Sequence, residues 1–301
     1  MKADFPTPEF KHTPIDGFIT QYAVLLVSVR DREYFCFGNA VIIAKHIALT
    51  ARHVFEEYIK QLDGTDGRVV PGIQKFNLQA IQFVKNGSGE IEGRYWRVNR
   101  FFAGEPGLTD IAFLELAPTH EAQVSEMLPA LSLRLDPPPV GGKIAAFGYH
   151  STKVLRTGES EVEFGVNPYT ATGTVKEIHN AGRDGYLLPF PSFRTDARFD
   201  PGMSGGPVFY DGALCGLICS NLPPTKANDS HVSYVASLWP TMMIMVGFRR
   251  DSSSANDEFC TAYELAKLGF IRVLDLDQMH ILPQANGRIT GHFHSRSETP
   301  A

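Results

Sequence analysis

Thr195-Asp196-Ala197-Arg198-Phe199-Asp200-Pro201-Gly202-Met203-Ser204-Gly205-Gly206-Pro207-Val208 places one serine among glycines, immediately ahead of an apolar strand. A nucleophilic serine needs a tight turn whose backbone N–H groups point at the oxygen that gains charge. Glycine supplies the dihedral angles and the close approach that such a turn demands. On this reading Gly202 and Ser204 offer the two N–H donors. An ordinary Gly-rich hairpin turn is the other reading of the same residues.

Outward from the serine the chain reads as strand almost throughout. One series of β-branched and aliphatic runs comprises Lys143–Gly148, Thr170–Ile178, Tyr186–Phe190, Pro207–Tyr210, Ala213–Ser220 and His231–Ala236. An earlier series comprises Ile19–Arg30, Tyr34–Ile43 with a bend at Gly38-Asn39, Ile47–Thr50, Phe76–Val84, Tyr95–Phe102 and Ile111–Leu116. Short strands in two runs of six, separated by a connector, predict an all-β chain of two antiparallel six-stranded barrels or sandwiches. The expected divisions are an N-terminal extension over 1–18, a first barrel over 19–118 and a connector over 119–136. A second barrel with a C-terminal helix follows over 137–248, then an extension over 249–301. Within these, His53–Leu62 has helical spacing, 62–74 reads as loop, and a helical turn is expected near Glu121–Leu128. Thr241–Phe248 reads as a helix opened by Trp239-Pro240. A linker follows at 251–256, then a helix over Asp257–Leu268 capped by Asn256 or Asp257 and stopped by Gly269. Ile271–Leu282 and Arg288–Phe293 read as a last hairpin. Residues 1–15 and 294–301 are expected to be mobile.

Composition sets limits on function. The 301 residues are 43% apolar and 20% charged, which suits a chain with a core. The net charge of -5 leaves no basic excess for a phosphate backbone, so nucleic-acid binding is not expected. The longest apolar stretches, Ala23–Val27 and the Pro240-broken Leu238–Phe248, fall short of a bilayer, which needs roughly 20 apolar residues. The first residues carry no apolar signal region, so no export signal and no membrane partner are expected, and a cytoplasmic location is. Cys36, Cys215, Cys219 and Cys260 read as unpaired small hydrophobes in a reducing compartment, and neither a metal nor a cofactor is expected.

Two further segments complete a constellation. In Ile47-Ala48-Leu49-Thr50-Ala51-Arg52-His53-Val54 a histidine ends an apolar strand where a helix starts, a rigid place for a general base, although alone it reads equally as a structural or surface histidine. In Thr109-Asp110-Ile111-Ala112-Phe113-Leu114 an aspartate precedes another strand, where it can orient an imidazole. The order His53, Asp110, Ser204 puts the first two in one β series and the serine in the other. A cleft between two barrels would unite them, and this chain order is one of three known for the same geometry.

On these residues the chain resembles the trypsin-like (chymotrypsin-fold) serine proteases, most of all the HtrA/Deg branch, over about residues 19–248. Weaker likeness lies in Val140–Gly148, Thr170–Val175 and Cys215-Gly216-Leu217-Ile218-Cys219-Ser220-Asn221. The resemblance implies Ser204 as nucleophile, His53 as general acid/base, Asp110 as orienting acid, and the N–H groups of Gly202 and Ser204 as oxyanion hole. It implies that Cys219, Ser220 and Asn221 lie on the strand that pairs with a protein or peptide substrate. Arg198 and Phe199 fall where relatives build the primary specificity pocket. Arg198 could favour an acidic substrate side chain there, or face outward and pair with Asp196 or Asp200; Phe199 could narrow the pocket. Met203 stands where digestive relatives carry an aspartate that receives a new N-terminal amine, so activation by that cleavage is not expected. The residues after Phe248 are too few for a PDZ domain, and the extension is read as a regulatory or docking element for a partner. A protease-fold binding or scaffold protein with a closed or inactive site is the alternative function.

Overall fold

The alternating apolar pattern closes into two barrels, each with its own buried cluster and joined by a shared one. The computed structural model of the chain describes residues 8–30, 33–63, 77–105, 107–119, 128–156, 162–222, 231–248, 258–283 and 289–294. The first barrel is built from β1 (Ala23–Arg30), β2 (Glu33–Ala44), β3 (Ile47–Ala51), β4 (Leu78–Lys85), β5 (Ile91–Ala103) and β6 (Ile111–Pro118). These close in the order β1-β2-β3-β6-β5-β4, every pair antiparallel. Val24, Leu26, Ala40, Ala48, Ala80 and Leu114 fill it. Helix α1 (Arg52–Asp63) closes one end with Val54, Phe55, Tyr58 and Ile59, the buried stripe that helical spacing predicts.

The second barrel comprises β7 (Lys143–Tyr149), β8 (Pro168–His179), β9 (Ser192–Thr195), β10 (Pro207–Tyr210), β11 (Ala213–Leu222) and β12 (Val232–Ser237). The ring β10-β7-β8-β9-β12-β11 closes through the β10–β11 pairing. A third apolar cluster bridges the halves. Val41, Leu49, Ile111 and Phe113 come from the first barrel, Leu131, Leu133 and Leu135 from the connector, and Leu214, Leu217 and Tyr234 from the second.

The C-terminal extension belongs to that cluster through Ala262, Leu265, Ile271 and Met279. Arg272–Val273 runs parallel to Ser132–Leu133, which lies parallel to β11 at Leu214. The Asp275 carboxylate accepts the N–H groups of Leu135 at 2.9 Å and Asp136 at 2.8 Å, tying the extension to the connector.

Several expectations need correction. The helix expected over Thr241–Phe248 is a short 3-10 turn, Trp239–Met243, followed by a strand, Met245–Phe248, paired with Glu258–Thr261. Pro240 suits a first helical turn, but the apolar residues after it are equally at home in a strand. The following helix, α2, runs over Ala262–Lys267, and its cap is Thr261, not Asn256 or Asp257; Glu264 closes a capping box with it. Tyr186–Phe190 is a loop rather than a strand. Asp184 accepts the N–H groups of Tyr186 at 2.9 Å and Leu187 at 2.6 Å, folding the chain into a turn that leaves Tyr186 90% exposed. Ser192–Thr195 takes the barrel position instead. Ile19–Tyr22 lies in a short helix, Phe18–Tyr22, and β1 starts at Ala23. Phe10–His12, expected to be mobile, pairs antiparallel with β8. The last hairpin joins Met279–Pro283 to Ile289–Phe293. The turn expected at 121–127, most of the loop at 62–74 and the linker at 251–256 lie outside the described residues. Among the described residues no helix is long and apolar enough to cross a membrane.

An extension that contributes to the shared core should be needed for stability. Leu265, fully buried in the shared cluster, tests this. Leu265→Ala should cost about 2–5 kcal/mol in urea denaturation. A cost below about 0.5 kcal/mol would show the extension to be a detachable appendage.

Candidate active site

The end of β3 and the start of α1 fix the histidine. His53 N–H donates to Asp110 Oδ1 at 3.1 Å, and Nδ1 meets Asp110 Oδ2 at 2.7 Å. Arg52 N–H donates to the Asp110 carbonyl at 2.6 Å, so main chain and side chain together hold the loop before β6 against the helix start. An ionised carboxylate can only accept, so Nδ1 carries the proton and the Nε2 lone pair is free to act as a base. The Asp110 side chain is 12% exposed and the imidazole 42%. Burial works against the imidazolium. The Asp110 charge, its hydrogen bond and the Glu56 charge together outweigh burial and raise the His53 pKa above its ordinary value. Glu56 is itself held one helical turn on by Arg52, at 2.7 Å.

The serine sits where two β-turns meet. Met203 N–H closes on Asp200 O at 3.1 Å, with Pro201 and Gly202 at the corners and Gly202 at φ 92°, as a type II turn requires. Gly206 N–H returns to Met203 O, and Gly205 N–H donates to Ile218 O, each at 2.9 Å. Between these bonded groups, the N–H groups of Gly202 and Ser204 donate to no protein atom among the described residues. Met203 is fully buried, whereas Gly202 is exposed and Ser204 partly so.

The first barrel presses against this turn directly. A Cβ on Gly38 would lie 2.8 Å from Ser204 O and 2.9 Å from Val54 Cγ2. One on Gly205 would lie 2.1 Å from Asn39 O and 2.7 Å from Thr50 Oγ1. Only glycine fits such contacts, and they seat Ser204 beside the Thr50–Val54 segment that carries His53. Among the described residues no hydrogen bond joins the Ser204 hydroxyl to His53. Asn39, read in the sequence only as part of a bend, is the residue the reading missed. Fully buried, it donates its main-chain N–H to Ser204 O at 2.8 Å and its side-chain amide to Gly202 O at 2.7 Å. The available signal was an amide inside the otherwise apolar run Gly38-Asn39-Ala40-Val41-Ile42-Ile43.

The remaining expected positions separate. Cys219 is 8% exposed, and its thiol donates to Tyr234 O at 3.3 Å. Burial, then the Asp110 charge, pushes that thiol well above the usual cysteine range. Burial and the raised pKa make Cys219 a poor target for thiol reagents. Cys36, expected in the core, is exposed. β10 follows β11 only as far as Pro207 opposite Leu217, while β12 pairs with Ser220, Asn221 and Leu222, so the end of β11 has one bare edge among the described residues. The Asn221 amide donates to Phe199 O at 2.6 Å, and Phe199 is buried. Arg198 makes a two-pronged pair with Asp200, both contacts at 2.7 Å, and its guanidinium lies 4.4 Å from the centre of the Phe10 ring. Of the two readings of Arg198, the structure has the outward one, paired with Asp200.

Residues 38–217 match the family described as Trypsin-like peptidase domain. A search among curated protein sequences gave no match. Among solved structures, the active form of the Rv3671c protease from M. tuberculosis is 17% identical at a TM-score of 0.46, covering 86% of this chain and 85% of that one. The MamO protease domain from Magnetospirillum magneticum, in its apo form, is 16% identical at a TM-score of 0.43, covering 73% and 93%.

The balance of charges around His53 can be read by titrating its ring proton resonances in Ser204→Ala protein. The midpoint should lie above the ordinary histidine value of about 6.5. It should fall in Glu56→Gln, and fall further in Asp110→Asn, where burial acts almost unopposed. An unchanged midpoint in Asp110→Asn would show that the pair does not set the imidazole's charge.

Proposed function

The chain belongs to the trypsin-like peptidase domain family, and from that premise we propose that it is a serine endopeptidase using His53, Asp110 and Ser204. The observation that carries the reading is the alternation in the serine turn. Met203, Gly205 and Gly206 spend their N–H groups inside the protein, while Gly202 and Ser204 leave theirs open beside a histidine already paired through Nδ1.

The chemistry follows from which atoms are free. Ser204 Oγ attacks a peptide carbonyl while His53 Nε2 takes its proton, and Asp110 stabilises the imidazolium so formed. Negative charge moves to the former carbonyl oxygen, where the N–H groups of Gly202 and Ser204 receive it. His53 returns the proton to the departing amine, leaving an acyl ester on Ser204. Water deprotonated at His53 then hydrolyses the ester and restores the serine. The serine–histidine hydrogen bond this requires tightens when substrate excludes water, as catalytic contacts in unliganded sites commonly do. The bare edge of β11 at Ser220–Leu222 supports binding of an extended peptide as an added strand. The free cysteines accord with a reducing, cytoplasmic setting.

Labelling with a fluorophosphonate probe tests the reading. Wild type should form a covalent adduct at Ser204, and Ser204→Ala should form none. Peptide turnover should fall about 10⁴-fold in Asp110→Asn, through the wrong imidazole tautomer. Protein that is folded by circular dichroism yet neither labels nor cleaves a peptide library would turn the assignment to a binding or scaffold role.

A further inference from the structure

A turn that leaves two N–H groups unpaired is not the arrangement its own backbone would choose. Ser204 is only partly exposed, and a half-buried donor is nearly always satisfied, so a peptide rotation that hands its N–H a partner competes with the open form. Something must hold the turn open. Met203 is held within its own turn, its N–H on Asp200 O and its Sδ accepting the Asp200 N–H at 3.3 Å, and the carbonyls on either side of it are the remaining handles: Gly202 O and Ser204 O. Asn39 grips both, the first through Nδ2 at 2.7 Å and the second through its backbone N–H at 2.8 Å.

The grip has a defined polarity. Asn39 Oδ1 accepts the N–H of Tyr149 at 2.8 Å, and Nδ2 reaches Tyr149 O at 3.2 Å as well as Gly202 O. Exchanging the amide oxygen and nitrogen would set an oxygen against two carbonyls and an NH₂ against an N–H, so the contacts themselves fix the orientation. Thr50 Oγ1 donates to Asn39 O at 2.7 Å and locks the residue from behind. Asn39 thus joins β2 of the first barrel to the end of β7 and to the serine turn of the second.

We infer that Asn39 is a positioning residue that holds the Gly202–Ser204 turn open for an oxyanion, so that docking of the two barrels by itself sets the turn. This inference deepens the peptidase reading and rests on it for its kinetic test. Asn39→Ala removes the side-chain grip; Asn39→Asp keeps the size and the acceptor toward Tyr149 N–H but loses both donors. Leu26→Ala, in the interior of the first barrel, is the stability control, with assays run well below the lowest melting temperature.

Both Asn39 variants should lose about 10²–10³-fold in kcat, the effect of one lost oxyanion donor, with KM changed less than about threefold. Affinity for a peptide aldehyde, whose hemiacetal oxygen occupies the hole, should fall in parallel, and the acid limb of the pH profile, which reports His53, should stay in place. Retention of kcat within about threefold in either variant overturns the inference. So does a joint loss in kcat and KM that Leu26→Ala reproduces. Hydrogen exchange over 199–207 reads the same hold without turnover. Exchange there should be at least about tenfold faster in Asn39→Ala than in Leu26→Ala, and equal rates overturn the inference even if the wild type proves to be no peptidase. Failure of the wild type to label, with that exchange contrast intact, would remove the peptidase reading and leave Asn39 as the holder of the turn.

Discussion

The structure depends on backbone meeting backbone across the barrel junction. β2 comes so near the serine turn that neither Gly38 nor Gly205 has room for a single added carbon, and main-chain hydrogen bonds replace side-chain packing at the contact. Such an approach is stiff. Side chains can repack through rotamer changes, but a strand in a closed barrel cannot shift without breaking ladder bonds on both sides. The serine turn therefore takes its position from two barrels at once: β2 on one flank and, through Gly205 N–H to Ile218 O, β11 on the other.

Electrostatics completes what packing begins. Asp110 sits deeper than His53 and is held by main-chain as well as side-chain contacts, so the carboxylate stays fixed while the imidazole keeps one edge open. Burial alone would drive the ring toward neutrality and a weak base. The neighbouring carboxylates reverse that, giving a base whose proton affinity exceeds that of a free histidine while its Nε2 remains accessible. At Cys219 the Asp110 charge adds to the larger effect of burial, and together they keep the thiol protonated.

How much of this was legible in the sequence follows the range of the interactions. Strands such as Tyr34–Ile43 and Ala213–Ser220 declare themselves through local pattern, and the first barrel has the six expected strands. The serine segment is local too, because its glycines, Pro201 and Ser204 belong to one turn. The junction is not. Asn39 bonds to Gly202 from 163 residues away and to Tyr149 from 110, and no window on the sequence shows a buried amide its partner. Trp239–Phe248 is apolar on every side, so periodicity could not separate helix from strand, and the partner that decides the matter, Glu258–Thr261, lies beyond a linker. Tyr186–Phe190 has strand composition, but the Asp184 carboxylate captures its N–H groups before any neighbouring strand can.

The extension can then be understood by what it holds. Its apolar residues enter the core cluster that both barrels and the connector share, and Asp275 clasps the connector itself. Both barrels, the connector and the extension are therefore packed into one apolar cluster. On the proposed peptidase reading the placement of His53 against Ser204 tolerates little error, since a misplacement of about 1 Å can cost on the order of 10²-fold in rate. Residues 258–283 lie on the side of the shared cluster, where they pack against it and hold the connector.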